Sequence, residues 1–339
     1  MNILLIGAGS VGQGLLQILA EKSQPLYETS GFSPKIVGVA TGSRGTLFDE
    51  NGLSFDALQT ALRSRTLDLD PASPTLQRNR DIRDMIEHPT VDVIVEASPT
   101  NVQTGQPALG YVYHALTHGK HVVLANKGPL VVDGPGLMHC AESVGRALRY
   151  EATVMAGTPA IRLAKQGLPG AEISGFRGIL NGTTNYMLSQ MGEGISFTDA
   201  LADAQQRGYA ETDPSGDVDG WDAAAKVIIL AAAIFGVQFS LDDLSVTGIS
   251  GLDQQQIEQA KAEGKQWRLV AEADRNGGCV RPVALPNSDP LANVSGTLNA
   301  ITYRTDVNQD VTLIGAGAGG RETGYAIVSD LLEISKHFF

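Results

Sequence analysis

The chain has 339 residues, 42% hydrophobic and 18% charged, with a formal net charge of −12 at pH 7. That length exceeds one ordinary core and predicts two globular domains, while the acidity argues against nucleic acid or an anionic membrane as the main partner. Two cysteines, Cys140 and Cys279, supply neither metal-ligand spacing nor a disulfide framework. No basic leader precedes Asn2 and no apolar run reaches membrane-spanning length, so a cytoplasmic protein is expected.

Asn2 to Ile6 reads as a buried parallel strand. Gly7-Ala8-Gly9-Ser10-Val11-Gly12 follows, and Leu15, Leu16, Ile18 and Leu19 continue with helical spacing. A G-x-G-x-x-G turn between strand and helix is the setting for a dinucleotide. Gly7 allows the turn, Gly9 lets backbone approach a pyrophosphate, Gly12 lets helix and strand pack closely, and the helix N-terminus offers N–H donors. Lys35 to Ala40 reads as the second strand. No acid for a ribose appears before Asp49, whereas Arg44 is either a partner for a 2′-phosphate or a solvated loop charge. NADP is therefore slightly preferred over NAD.

Asp56 to Arg65 predicts a helix and Thr66 to Arg80 a loop. Val91 to Glu96 predicts a strand ending in Ala97-Ser98-Pro99-Thr100, at the strand end where α/β sheets bind ligands. Ala108 to His118 predicts a helix and His121 to Ala125 a strand, followed by Asn126-Lys127-Gly128-Pro129. Lys127 is thus a second strand-end candidate, or a plain surface lysine.

Leu148 to Val154 predicts a strand containing Glu151, broken by Met155-Ala156-Gly157-Thr158-Pro159. Gly175 to Leu180 predicts another, ending in Asn181-Gly182-Thr183-Thr184-Asn185. That turn either brings backbone donors to a ligand or is a simple turn with Thr183 or Thr184 capping the next helix. Strands at Arg268–Asp274, Cys279–Leu285, Ala300–Thr305 and Val311–Ile314 predict a mixed α+β sheet. A glycine-rich turn, Gly315 to Gly324, leads into a closing helix, Tyr325 to Lys336, that returns to the first domain.

Gly208 to Lys226 carries Glu211, Asp213, Asp217, Asp219 and Asp222. Pro214, Ser215 and Gly216 exclude a regular element in its first half, and Asp219 is a candidate helix cap. From Ala223 to Phe235 the sequence is apolar almost all round, so that helix is buried. Lys226 stands in it four residues after Asp222, on the same face. Spacing leaves two readings, a structural ion pair or a catalytic acid/base.

These landmarks together resemble the homoserine dehydrogenases over nearly the whole chain. The resemblance is carried by Gly7-x-Gly9-x-x-Gly12, Ala125-Asn-Lys-Gly-Pro129, Glu151 to Pro159, Gly178 to Tyr186, Gly208 to Lys226 and Gly315 to Gly320. It implies a Rossmann-type α/β nucleotide-binding domain over 1–145, completed by 310–339, and an α+β catalytic and dimerisation domain with a mixed sheet over 146–309. It implies NAD(P)-dependent interconversion of the small molecules L-homoserine and L-aspartate 4-semialdehyde by a homodimer. By motif position Lys226, Lys127 and Asp222 correspond to catalytic residues, Lys226 being the proton donor. Glu211, Asp217, Gly182 and Thr183 correspond to substrate-binding positions. The glycine loop with Arg44, Ser98, Asn126 and Lys127 corresponds to the cofactor site. Glu151, Val154, Ala156 and Thr158 correspond to the surroundings of a structural sodium ion.

The sequence ends at Phe339, so no ACT regulatory domain, and no threonine feedback through one, is expected. Two other readings compete. A phosphorylating aspartate-semialdehyde dehydrogenase needs a cysteine nucleophile in an activating setting, whereas Cys140 lies within a predicted helix and Cys279 follows Gly-Gly with no adjacent histidine. A dinucleotide sensor without chemistry predicts loss of Lys226 or Glu211, and both are present. Trp221 matches nothing interpretable.

Overall fold

The structure, a computed structural model, describes residues 1–69 and 73–339. Its backbone divides into two compact units, 1–157 with 319–339, and 158–318.

The first unit is built on a seven-stranded sheet. Its elements are β1 (Asn2–Ile6), α1 (Ser10–Ser30), β2 (Lys35–Thr41), β3 (Gly45–Leu53), α2 (Phe55–Arg63), β4 (Gln77–Arg78), α3 (Ile82–Glu87), β5 (Val93–Glu96), α4 (Ala108–Thr117), β6 (His121–Leu124), α5 (Gly128–Ser143) and β7 (Leu148–Arg149). The strand order is β4-β3-β2-β1-β5-β6-β7. β2, β1, β5, β6 and β7 run parallel, and β3 and β4 add antiparallel pairs at one edge. The connections leave β1 in opposite directions, to β2 and to β5, which makes its carboxyl end the switch point where such sheets take ligands. β1 and β5 are near-continuous apolar runs because helices cover both faces.

The second unit contains α6 (Ala160–Arg162), β8 (Ile173–Ile179), α7 (Gly182–Gly192), α8 (Phe197–Gln206), α9 (Ser215–Val218), α10 (Trp221–Phe235), β9 (Ser245–Val246), α11 (Gln254–Ala262), β10 (Lys265–Asp274), β11 (Gly278–Pro286), β12 (Leu298–Thr305) and β13 (Asp310–Ala316). Its six-stranded sheet has the order β13-β12-β8-β10-β11-β9 and is mixed, antiparallel except for β9 beside β11. α7, α10 and α11 pack on β10. α10 combines strong helix formers with an apolar circumference, so Ala223 to Ala233 is buried throughout. Ile228, Ile229 and Leu230 are fully buried, each contributing roughly 1.5–3 kcal/mol. The helix starts at Gly220, φ 91°, and stops at Gly236, φ 68°.

The chain then returns to the first unit as α12 (Gly320–Phe338). Ala326, Ile327 and Leu331 join Leu15, Leu16 and Leu19 in one apolar cluster. Contact is close because glycines face each other. A Cβ on Gly14 would collide with the Gly320 carbonyl, and one on Gly324 would lie 2.5 Å from the Leu15 nitrogen. Arg149 pairs with Glu333 at 2.8 Å, and the Glu151 N–H donates to Asp330 at 3.0 Å.

Several expectations need correction. The segment 310–339 divides, since β13 pairs with β12 in the second sheet and only 319–339 joins the first unit. The strand expected over 148–154 stops at Arg149, and Glu151–Thr153 is a 3-10 turn whose Glu151 N–H is taken by a side chain instead of a ladder. The polar stretch after residue 45 hides β3 and β4; part of the 66–80 loop, residues 70–72, lies outside the described residues. Among the described residues no helix is long and apolar enough to cross a membrane.

Candidate active site

In the first unit, Gly7 takes φ +96° and its N–H donates to the Ala40 carbonyl at 2.9 Å. A Cβ there would collide with the Ala97 carbonyl, so β1 and β5 approach closely only with glycine. Gly12, whose Cβ would stand 2.5 Å from the Gly7 oxygen, lets α1 start against that turn. At Gly9 a Cβ meets nothing within 4 Å, and Gly9 and Ser10 are exposed, with Ala8 buried behind them and Val11 half-buried. No side chain caps α1 and no acid stands in its first turn. Open backbone at an uncapped helix N-terminus suits a pyrophosphate.

Arg44 follows β2, its backbone N–H bonded to Thr41 Oγ1 at 2.9 Å. Its Nη1 is buried without a hydrogen-bond partner among the described residues. With Gln13, Ser43, Leu62, Arg63 and Arg65 it lines an open cleft of about 680 Å³. None of the six is acidic. Asp49 is buried on β3, accepting from Ser73, from Thr75 at 2.6 Å and from the Asn51 N–H at 2.9 Å. Burial alone would raise its carboxyl, but those donors hold it below the ordinary value, so it is committed within the fold.

The ends of β5 and β6 are joined by a residue that sequence reasoning missed. Glu96 is fully buried and accepts from the Ser98 hydroxyl and, at 3.3 Å, from the Ser98 N–H. Asn126 donates to Ser98 Oγ and to the Pro99 carbonyl, each at 3.3 Å, and accepts the Gly128 N–H at 2.9 Å. Burial pushes the Glu96 carboxyl up to about 7, against the lowering effect of Ser98 and Asn126. An acid closing an apolar strand was the available signal. Lys127, half-buried, begins α5 from this framework.

The second unit gathers acids around one amide. Asn181 caps α7, its Oδ1 accepting the Thr184 N–H and hydroxyl, both at 2.9 Å. This replaces the expected Thr183 or Thr184 cap; Asn181 stands two residues before Thr183, where its oxygen reaches the N3 N–H of Thr184. Its Nδ2 donates to Asp217 at 2.6 Å and to Asp222 at 3.0 Å. Lys226, 6% exposed, donates to the Leu180 carbonyl at 2.6 Å and pairs with Asp222 at 2.7 Å. Burial raises the Asp217 carboxyl, the Asn181 bond lowers it, the Asp222 charge raises it, and the net direction is up. Thr183 donates to the Tyr209 carbonyl at 2.7 Å, and a Cβ on Gly182 would lie 2.7 Å from the Thr297 oxygen.

The acid stretch differs from expectation at two points. Ser215–Val218 forms one helical turn because Pro214 occupies its start, where a missing N–H costs nothing. Asp219 is exposed and does not cap α10, whose cap position is the left-handed Gly220. Glu211 is exposed, and among the described residues its carboxylate has no bond to the Lys226 cluster. Asn299 on β12 is fully buried, with neither amide atom hydrogen-bonded among the described residues. Its Oδ1 would be 3.5 Å from a Cβ on Gly182, so a second amide faces the Gly182 turn.

Of the remaining positions, Glu151 is buried, Val154 follows its turn, and Ala156 takes a left-handed φ of 47°. Thr158, in the second unit, donates to the Ala316 carbonyl at 2.9 Å. Cys140 lies in α5, and Cys279 lies on β11 with its thiol pushed up, first by burial and then by Glu272. That is the reverse of an activated nucleophile.

Residues 7–151 match the family model described as homoserine dehydrogenase, NAD binding domain, and residues 159–332 match the homoserine dehydrogenase model. An NAD(+)-dependent homoserine dehydrogenase of Pseudomonas canavaninivorans is 39% identical over 99% of this chain and 96% of its own. A homoserine dehydrogenase of Methanocaldococcus jannaschii is 38% identical over 98% of each chain. A hyperthermophilic archaeal homoserine dehydrogenase solved in complex with NADPH superposes with a TM-score of 0.84 at 28% identity, covering 100% of this chain and 98% of that one.

Proposed function

The chain belongs to the homoserine dehydrogenase family, NAD(P)-dependent oxidoreductases acting on a CH–OH group, and we propose that it interconverts L-homoserine and L-aspartate 4-semialdehyde with Lys226 as the proton donor. The observation that carries this reading is the buried ammonium of Lys226, held between the Leu180 carbonyl and Asp222. Bound NAD(P)H supplies the hydride to the aldehyde carbon. Lys226 stabilises the alkoxide that develops and passes it a proton, while Asp222 fixes the ammonium in place. Asn181 holds Asp222 and Asp217 together beneath the Gly182–Thr183 turn. Glu211 is read as the partner of the substrate ammonium, Lys127 as the second lysine, and the Asn299 amide as a further polar contact of the Gly182 turn.

In the first unit the Gly7 to Gly12 turn would hold the pyrophosphate, and Ser98, Asn126 and Lys127 the nicotinamide end. NADP is preferred to NAD because Arg44, Arg63 and Arg65 line one acid-free cleft. A sodium ion near Glu151, Val154, Ala156 and Thr158 rests on the family resemblance together with a buried carboxylate beside a left-handed turn. A cytoplasmic homodimer acting on a small molecule, without nucleic acid or membrane, completes the reading.

The test follows reduced-nicotinamide absorbance with L-homoserine and NADP+ or NAD+ in parallel, for the native protein and Lys226→Ala. Homoserine-dependent reduction by the native protein, lost in Lys226→Ala while cofactor binding persists, supports it. Turnover near native in the variant removes Lys226 from the chemistry. Absence of reduction by cofactor-bound native protein removes the activity.

A further inference from the structure

We propose that Glu87, His114 and His118 form a site for a zinc-class divalent cation on the first unit. The three come from two adjacent helix ends. Glu87 is the last residue of α3, while His114 and His118 stand four apart at the end of α4, on one face. One donor atom from each lies within 4.8 Å of the other two. Glu87 Oε1 is 2.9 Å from His114 Nε2 and 3.8 Å from His118 Nε2. Bonds of ~2.0–2.1 Å at a tetrahedral angle separate donor atoms by about 3.3–3.4 Å, between those two values.

Two further observations favour a cation there. His118 Nδ1 lies 2.7 Å from the His114 carbonyl. That contact fixes the imidazole as an Nδ1–H tautomer and leaves Nε2 with its lone pair toward the cluster, as outer-shell partners do for metal-binding histidines. His114 Nε2 is buried and, among the described residues, makes no hydrogen bond of good geometry, although the Glu87 carboxylate lies 2.9 Å away. A cation among the three atoms would satisfy both. The C-terminal end of α4 also carries the negative end of the helix dipole.

Two imidazoles and one carboxylate suit zinc, and copper more tightly by the Irving–Williams order, whereas magnesium and calcium prefer all-oxygen shells. His118 and Glu87 are exposed, so an ion reaches the site from solvent and keeps a water in its fourth position. Bound there, it would tie α3 to α4.

The experiment uses full-length protein without a histidine tag, stripped with a chelator. Calorimetric titration with Zn2+ should give one ion per chain, and Co2+ should develop the visible d–d bands of a four- or five-coordinate N/O site. His118→Asn and Glu87→Gln should each weaken Zn2+ binding at least tenfold with an unchanged circular-dichroism spectrum. A Co2+ spectrum that stays that of the hexaaquo ion, or Zn2+ binding with the same affinity in both variants, would overturn the proposal.

Discussion

Asn181 offers the sharpest test of how the acid cluster is built. Asn181→Ala removes a helix cap and the donor shared by two carboxylates. Loss of the cap costs about 1 kcal/mol. A hydrogen bond to a charged acceptor contributes about 1.5–3 kcal/mol. Asp222 retains Lys226 and is 21% exposed at its side chain, so water replaces much of that bond. Asp217 loses the shorter bond, and a loss of about 3–4 kcal/mol in all is expected. Asn181→Asp keeps the capping oxygen and the volume but replaces the donor with a third acid. It should preserve α7 and still lower kcat/KM for homoserine as far as Asn181→Ala does, about 10- to 100-fold, because Asp222 no longer has a fixed place from which to hold Lys226. Urea unfolding and steady-state kinetics on both variants separate the two roles. Full kcat/KM in Asn181→Asp, or Asn181→Ala unfolding within about 0.5 kcal/mol of native, a shift ordinary for surface changes, would refute the clamp.

Arg44→Ala should raise the dissociation constant of NADPH more than that of NADH, read by fluorescence titration; equal effects would remove the basis for preferring NADP. Glu96 binds a proton in the folded state that the unfolded chain releases near pH 4.5, so its favourable contribution is complete below that value and is lost as pH rises through about 7. Glu96→Gln should therefore be more stable than native at pH 8 by on the order of 3 kcal/mol, with the difference vanishing near pH 4; a constant difference would contradict the raised carboxyl. Gly324→Ala forces a methyl to within 2.5 Å of the Leu15 nitrogen and should cost about 1–3 kcal/mol by overpacking, visible as a lower Tm.

Much of this was legible in the sequence where one local rule acted alone. β1, the glycine turn and α1 follow from an apolar run, fixed glycines and helical spacing, and α10 from its apolar circumference. The pairing of Lys226 with Asp222 follows from their spacing. What stayed hidden depends on partners distant in sequence. β3 pairs with β2 through a hairpin of mixed polarity, Glu151 turns because Asp330 takes its N–H, and Glu96 matters through residues on two loops. Asn181 looked like an ordinary turn residue because its carboxylate partners stand 36 and 41 positions away. Glu211 shows the converse, since a motif position alone does not bring its side chain to the cluster.

The placement of α12 has a consequence for biosynthesis. The apolar face of α1 leaves the ribosome early, yet the helix that covers it comes after residues 158–318, a stretch of 161 residues. At ~5–20 residues per second that interval lasts about 8–32 s. During it the first unit holds an uncovered groove of Leu15, Leu16 and Leu19 that a chaperone, or another nascent copy, can occupy before the chain's own last helix arrives.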